Sequence, residues 1–172
     1  MRRLIAWMLV LLAAGCGYKM KFELPPHLRT FSVNTFRNKT LERNLDFEFT
    51  EALIHEIAAR TNLRVARPGE ADLEISGEIE NFDRHVLRRK RYDEKMEMRN
   101  LLSVNVEMRD TRKNAVFFQG RRIVERAEFS LNLGETPREA RDELVRELAR
   151  RVTALAFEPW PYKEPEAKGS GE

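Results

Sequence analysis

The sequence predicts an α/β fold, more narrowly an α+β two-layer sandwich with two helices packed on one face of a mixed four-stranded sheet, in the order β-α-β-β-β-α. Three observations predict it. Residues 41–60 and 136–158 repeat apolar side chains every three or four positions, the period of a helix buried on one side. Residues 72–87, 95–109 and 115–129 are strand-like runs separated by turn signals. A further strand-like stretch precedes the first helix, so a crossover through that helix sets it parallel to the next strand and lets both helices cover one face.

The first strand is read over Leu28 to Phe36, where Thr30, Phe31, Val33, Thr35 and Phe36 supply β-branched and aromatic residues. Asn38 and Thr40 are turn and cap formers, and past them Leu45, Phe49, Leu53 and Ile57 recur every four residues, with Ala52 on the same face. Leu63 to Val65 has the length of a short edge strand, and Pro68-Gly69 is a turn. From Ala71 the period becomes two: Leu73, Ile75, Gly77 and Ile79 alternate with Asp72, Glu74, Ser76 and Glu78. The apolar parity then switches at Phe82 and Val86, which predicts a bulge near Glu80 to Asn81. In the next strand Met96, Met98, Leu102, Val104, Val106 and Met108 share one parity, whereas in the last one Phe117, Phe118, Ile123, Val124 and Phe129 are split between two. Thr136-Pro137-Arg138-Glu139 marks a helix start by an N-cap hydroxyl, a proline in the first turn and a capping-box carboxylate. Ala140, Leu144, Leu148, Val152 and Leu155 then form its stripe, and Pro159 ends it.

Ahead of this domain stands a secretory signal: Arg2 and Arg3, an apolar core from Leu4 to Leu12, and the small residues Ala13-Ala14-Gly15. The apolar run is shorter than the roughly 20 residues a spanning helix needs. Cys16, the chain's single cysteine, follows directly, and Ala13-Ala14-Gly15-Cys16 resembles the lipobox of bacterial lipoproteins. Acyl chains on Cys16 would hold the protein on a membrane without crossing it, since more than one chain makes a stable anchor. Gly17 stands where an Asp favours inner-membrane retention in enterobacterial lipoproteins, so its presence resembles an outer-membrane passenger. The organisation expected is a signal peptide at 1–15, a lipidated N-terminus and proline-stiffened tether at 16–27, one domain over 28–158, and a disordered tail over 159–172.

Charge narrows the function classes. Cleavage removes Arg2 and Arg3 from the 31 Lys and Arg, leaving them nearly balanced by 28 acids, without the bulk positive field that nucleic acids reward. Secretion argues against such a partner as well. Catalysis finds no support: His55-Glu56 begins like a zinc-protease helix, but Ala59 stands where the second histidine belongs. Asp83 and His85 share a strand face without a nucleophile, and no cysteine remains for a metal. No cofactor is expected beyond the lipid on Cys16.

Cys16-Gly17-Tyr18, the Phe36-x-Asn38-x-Thr40 strand ending with its following helix, and Ala71-Asp72-Leu73 opening a strand with Gly77 carry a resemblance over roughly residues 16 to 157. The chain resembles the outer-membrane lipopolysaccharide-assembly lipoproteins of the LptE type. That resemblance implies a lipid-anchored protein on the periplasmic side of the outer membrane, a partner β-barrel of the LptD type that it plugs and helps assemble, and lipopolysaccharide as ligand. The alternative left open is a periplasm-facing lipoprotein adaptor or activator of another envelope machine, such as a cell-wall synthase.

Geometry supplies candidate ligand residues. Strands of about 15 residues span roughly 50 Å, whereas the helices cover about 25–30 Å, so some of the sheet should project past them. The turn after the second strand should lie at the end where both helices begin. Arg84, Arg88, Arg89, Lys90, Arg91 and Lys95 cluster there against Asp93 and Glu94, beside Phe82, Val86 and Met96. Cations, helix N-termini and apolar side chains together suit a phosphorylated, acylated sugar such as the resemblance implies, and the alternative left open is a solvated turn made basic to keep the sheet ribbon from pairing with its neighbours.

Overall fold

The computed structural model describes residues 24–89, 96–130 and 136–158. Their elements are β1 (Thr30–Val33), β2 (Arg37–Asn38), α1 (Leu45–Arg60), β3 (Arg64–Val65), β4 (Leu73–Arg89), β5 (Met96–Asp110), β6 (Ala115–Ser130) and α2 (Pro137–Phe157). The expected signal, Cys16, the turn at 90–95 and the tail from 159 onward lie outside the described residues.

The strands form one mixed sheet in the order β3-β1-β4-β5-β6, with β2 also paired to β4. β1 runs parallel to β4, with Phe31 opposite Leu73 and Val33 opposite Ile75, as the crossover through α1 requires. β4, β5 and β6 form an antiparallel meander. To the four strands expected the sheet adds β2 and the short edge strand indicated at Leu63 to Val65, each two residues long. β3 sits where the edge strand was expected, with Thr30 opposite Arg64. β2 continues the line of β1 along β4, with Arg37 opposite Glu78.

One side of the sheet carries the core. Leu73, Ile75 and Ile79 of β4 lie beside Val104, Val106 and Met108 of β5 on one face, and Phe49, Leu53 and Ile57 of α1 join Leu144, Leu148 and Val152 of α2 in the same buried cluster. The parity switch in β4 is a bulge: the register jumps between Ile79 and Asn81, which brings Phe82 opposite Leu102 on the helix side. The split pattern of β6 has the same cause. Its register shifts where Val104 faces Ile123 and Val106 faces Gly120, and Arg122 adopts a left-handed φ of 49°.

Gly77 explains how β2 and α1 approach the sheet. A Cβ there would collide with the Asn105 carbonyl and the ring of Phe36. Phe36 in turn meets Phe49 edge-on, with centroids 4.9 Å apart.

α1 starts four residues later than the apolar period alone indicates. Asn38 Oδ1 accepts from the backbone N–H and hydroxyl of Thr40, and its Nδ2 donates to the Glu42 carbonyl at 2.7 Å. Asn44 then takes a left-handed φ of 61° before the first helical residue. Asn38 and Thr40 therefore build a tight turn rather than the cap, and Leu41 is left in solvent. α2 begins as its sequence states, with a complete capping box between Thr136 and Glu139. Leu155, expected on the stripe, is 52% exposed; Phe157 is the last buried position and lies 5.9 Å from Phe117.

Candidate functional site at the helix-start end

The two ends of the sheet differ in what their polar groups do. At the end where the chain enters, Asp72 is only 7% exposed and one of its oxygens accepts from the backbone N–H groups of Arg29 and Thr30 and from the Thr30 hydroxyl, at 2.9–3.0 Å. Arg112 contacts its other oxygen at 2.6 Å. The Arg29 N–H, with help from Thr30 and Arg112, outweighs burial and lowers the Asp72 pKa from 3.8 to about 2. Beside it His27 Nε2 lies 2.6 Å from Asp110, and this contact is the main cause that lowers the Asp110 pKa. These groups tie the entering segment to β4 and to the β5–β6 turn. They are structural.

At the opposite end the N-termini of α1 and α2 lie side by side. Arg141, in the first turns of α2, donates to the Arg43 carbonyl at 3.1 Å and pairs with Glu48 of α1. Glu42 sits between two cations, 3.6 Å from Arg141 and 3.6 Å from Arg84 of β4. A cleft of about 450 Å³ opens among Glu42, Asn44, Glu48, Arg84 and Arg141. The helix starts are already matched by the chain's own carboxylates: Asp46 and Glu48 on α1, and Glu139 on α2, whose pKa is lowered first by the Thr136 N–H.

Of the six basic residues singled out in the sequence, Arg84 reaches this seam. Its side chain remains 40% exposed, and its guanidinium lies 5.8 Å from the Phe82 ring centroid. Arg88 and Arg89 end β4, opposite Glu97 and Met96. They lie four and five residues beyond Arg84, about 13–17 Å at strand rise. The sheet does project past its helices, and the backbone of Arg88 and Arg89 lies on that projection. Lys90, Arg91 and Lys95 lie outside the described residues, as does Cys16.

On the helix-facing side of the projection, Phe82 and Met98 are half-buried and Val86 is 51% exposed. Asn100, opposite Arg84 on that side, is fully buried, and its side-chain amide has no hydrogen-bond partner among the described residues. Sequence reading missed Asn100 and the Arg141–Glu42–Glu48 seam. The only signal for Asn100 was its place on an otherwise apolar parity. The seam joins residues about 95 apart. Asp83 and His85 form no dyad: Asp83 accepts from Asn81 at 2.5 Å, and His85 is exposed.

The structure thus defines a two-layer α/β domain whose long meander runs past two paired helix starts. The comparisons give the particular family. The sequence model of the LptE family, described as lipopolysaccharide-assembly, matches residues 28–154, and the chain belongs to that family. No curated protein matches the sequence. Among solved structures the chain is similar to hypothetical protein CT253 from Chlamydia trachomatis, at 15% identity and TM-score 0.51, covering 75% of this chain and 98% of that one. It is also similar to PelC from Paraburkholderia phytofirmans (14% identity, TM-score 0.50, 80% and 96% covered) and to XCC0632 from Xanthomonas campestris (7% identity, TM-score 0.50, 80% and 91% covered). At these identities the likeness is one of fold.

Proposed function

We propose that the chain is a non-catalytic lipoprotein of lipopolysaccharide assembly, anchored through acyl chains on Cys16 to the periplasmic side of the outer membrane. It plugs and helps assemble a β-barrel of the LptD type and binds lipopolysaccharide. The family match over residues 28–154 carries this reading. The organisation that goes with it is a cleaved signal at 1–15, a tether at 16–27, a domain at 28–158 and a tail at 159–172.

The helix-start end has the right chemistry for the ligand. Arg84, Arg88 and Arg89 lie along one projecting strand, and sequence adds Lys90, Arg91 and Lys95 in the turn that follows. Guanidinium groups pair with phosphate oxygens through parallel hydrogen bonds, which suits a phosphorylated sugar. Phe82, Val86 and Met98 beside them offer apolar surface to acyl chains.

The test is a pull-down of the tagged lipoprotein from membranes. The expected result is co-purification of a barrel of very large mass and fatty-acid labelling that is lost in Cys16→Ser. Recovery of a cell-wall synthase in place of a barrel, or labelling that persists in Cys16→Ser, would contradict the reading.

A further inference from the structure

The end of the domain opposite the projecting strand carries four cations with no role in the fold. Arg29, Arg64, Arg67 and Lys113 are all exposed, and none makes an ion pair among the described residues. Their neighbours differ: Arg112 is taken by Asp72 at 2.6 Å, and Arg60 by Glu56 at 2.5 Å. The acids at this end offset them only in part. Asp72 is taken by Arg112 and Asp110 is buried against His27, which leaves Glu74, accepting from the Gly69 N–H at 2.9 Å, and exposed Glu70 as two carboxylates against the four cations. A chain with nearly balanced charge is thus locally positive here.

Hydrogen bonds show that these residues share one end. Arg64 N–H donates to the Arg29 carbonyl at 3.0 Å, and the Arg29 N–H donates to Asp72 at 2.9 Å. The Thr111 hydroxyl donates to the Ala71 carbonyl at 2.7 Å, and Lys113 N–H to Asp110 at 3.0 Å. Arg67 begins the turn closed by the Glu70 N–H on its carbonyl at 3.1 Å.

The described domain also begins and finishes at this end. Leu24 leads into it through the turn that Leu28 N–H closes on the Pro25 carbonyl at 2.9 Å, and Glu158 lies 3.8 Å from Arg60. The sequence places Lys19 and Lys21 between Cys16 and Leu24. Exposed Val65 stands beside Arg64.

We infer that this end is a membrane-facing surface: Arg29, Arg64, Arg67 and Lys113 bind the anionic phospholipid headgroups of the leaflet that holds the acyl anchor. Each cation near an anionic leaflet adds attraction that decays within a Debye length, about 8 Å at physiological salt, so only cations held against the surface contribute. The anchor brings this end to the leaflet, and the charge orients the domain so that the basic strand end points away from it. The inference rests on the proposed lipid anchor for its orientation. Headgroup binding itself requires neither the acyl chains nor lipopolysaccharide, so its failure is separable from failure of the proposed function.

The test uses the mature chain from residue 16 with Cys16→Ser, floated at low ionic strength with vesicles of phosphatidylethanolamine and phosphatidylglycerol, and with vesicles of phosphatidylcholine alone. Binding is expected to the first and not to the second. Replacing Arg29, Arg64, Arg67 and Lys113 by Ser should lower it about tenfold or more with unchanged circular dichroism and thermal midpoint. A charge-matched variant, with Arg121, Arg126, Arg138 and Arg146 replaced by Ser elsewhere on the surface, should keep it. Absence of binding to the phosphatidylglycerol vesicles, equal binding to phosphatidylcholine, or equal loss in both variants would overturn the inference.

Discussion

At the end where the tether enters, buried carboxylates gather the backbone of three segments, whereas at the other end an arginine-bearing strand runs past the starts of both helices with little to hold it. Asp72 alone satisfies two backbone N–H groups, a hydroxyl and a guanidinium. Arg84, by comparison, has one carboxylate at 3.6 Å and the edge of a cation–π contact. The difference separates groups that hold the fold together from groups left largely at its surface. Groups consumed by the fold cannot serve a ligand, and Arg84, with its side chain 40% exposed, is less consumed than Asp72 at 7%.

The contrast is broken most directly by truncating one aromatic at each end. Phe31 is fully buried beside the Asp72 network, and Phe31→Ala should cost about 3–5 kcal/mol. Phe82 is half-buried on the projection, and Phe82→Ala should cost about 1 kcal/mol or less. Urea denaturation midpoints measure both. Equal losses would mean that the strand end is packed as firmly as the tether end.

A smaller effect separates the acids. Asp72→Ala should destabilise by about 2–3 kcal/mol, because it strands two backbone donors and Arg112. Asp83→Ala, which removes an exposed contact to Asn81, should stay within about 0.5 kcal/mol. The pH dependence sharpens this. The Asp72 pKa is depressed on folding, so its stabilisation is fully present above the unfolded value of 3.8 and is lost as pH falls towards 2. Asp110, Glu78 and Glu139 shift in the same direction. Stability should therefore decline below about pH 4, and Asp72→Asn should flatten that decline. An unchanged acid limb in Asp72→Asn would remove Asp72 from the account.

Much of this fold was legible in the sequence because its signals were long or doubly stated. Seventeen residues of β4 and 21 of α2 give a period room to show, and Thr136 with Glu139 wrote a helix start that the structure repeats. The bulge in β4 was visible as a change of parity. β2 and β3 were harder because two residues carry no period, and their pairing depends on β1 and β4. The late start of α1 was hidden because Asn38 and Thr40 have the same chemistry in a turn as in a cap. At the candidate site the cations were legible as a run, but not their placement. Arg84 reaches the helix starts, while Arg88 and Arg89 lie beyond them, because a strand carries each residue about 3.3 Å further along. Arg141 escaped notice since its partners come from α1 and the turn before it.

The central claim is that the strand end and its turn bind lipopolysaccharide without contributing to the fold. The most direct measurement is binding of purified lipopolysaccharide to the variant in which Arg88, Arg89, Lys90 and Arg91 are all replaced by Ser, over a range of salt concentrations. The account predicts an unchanged denaturation midpoint and barrel association, with weaker binding and a shallower salt dependence. Unchanged binding by the folded variant would contradict it.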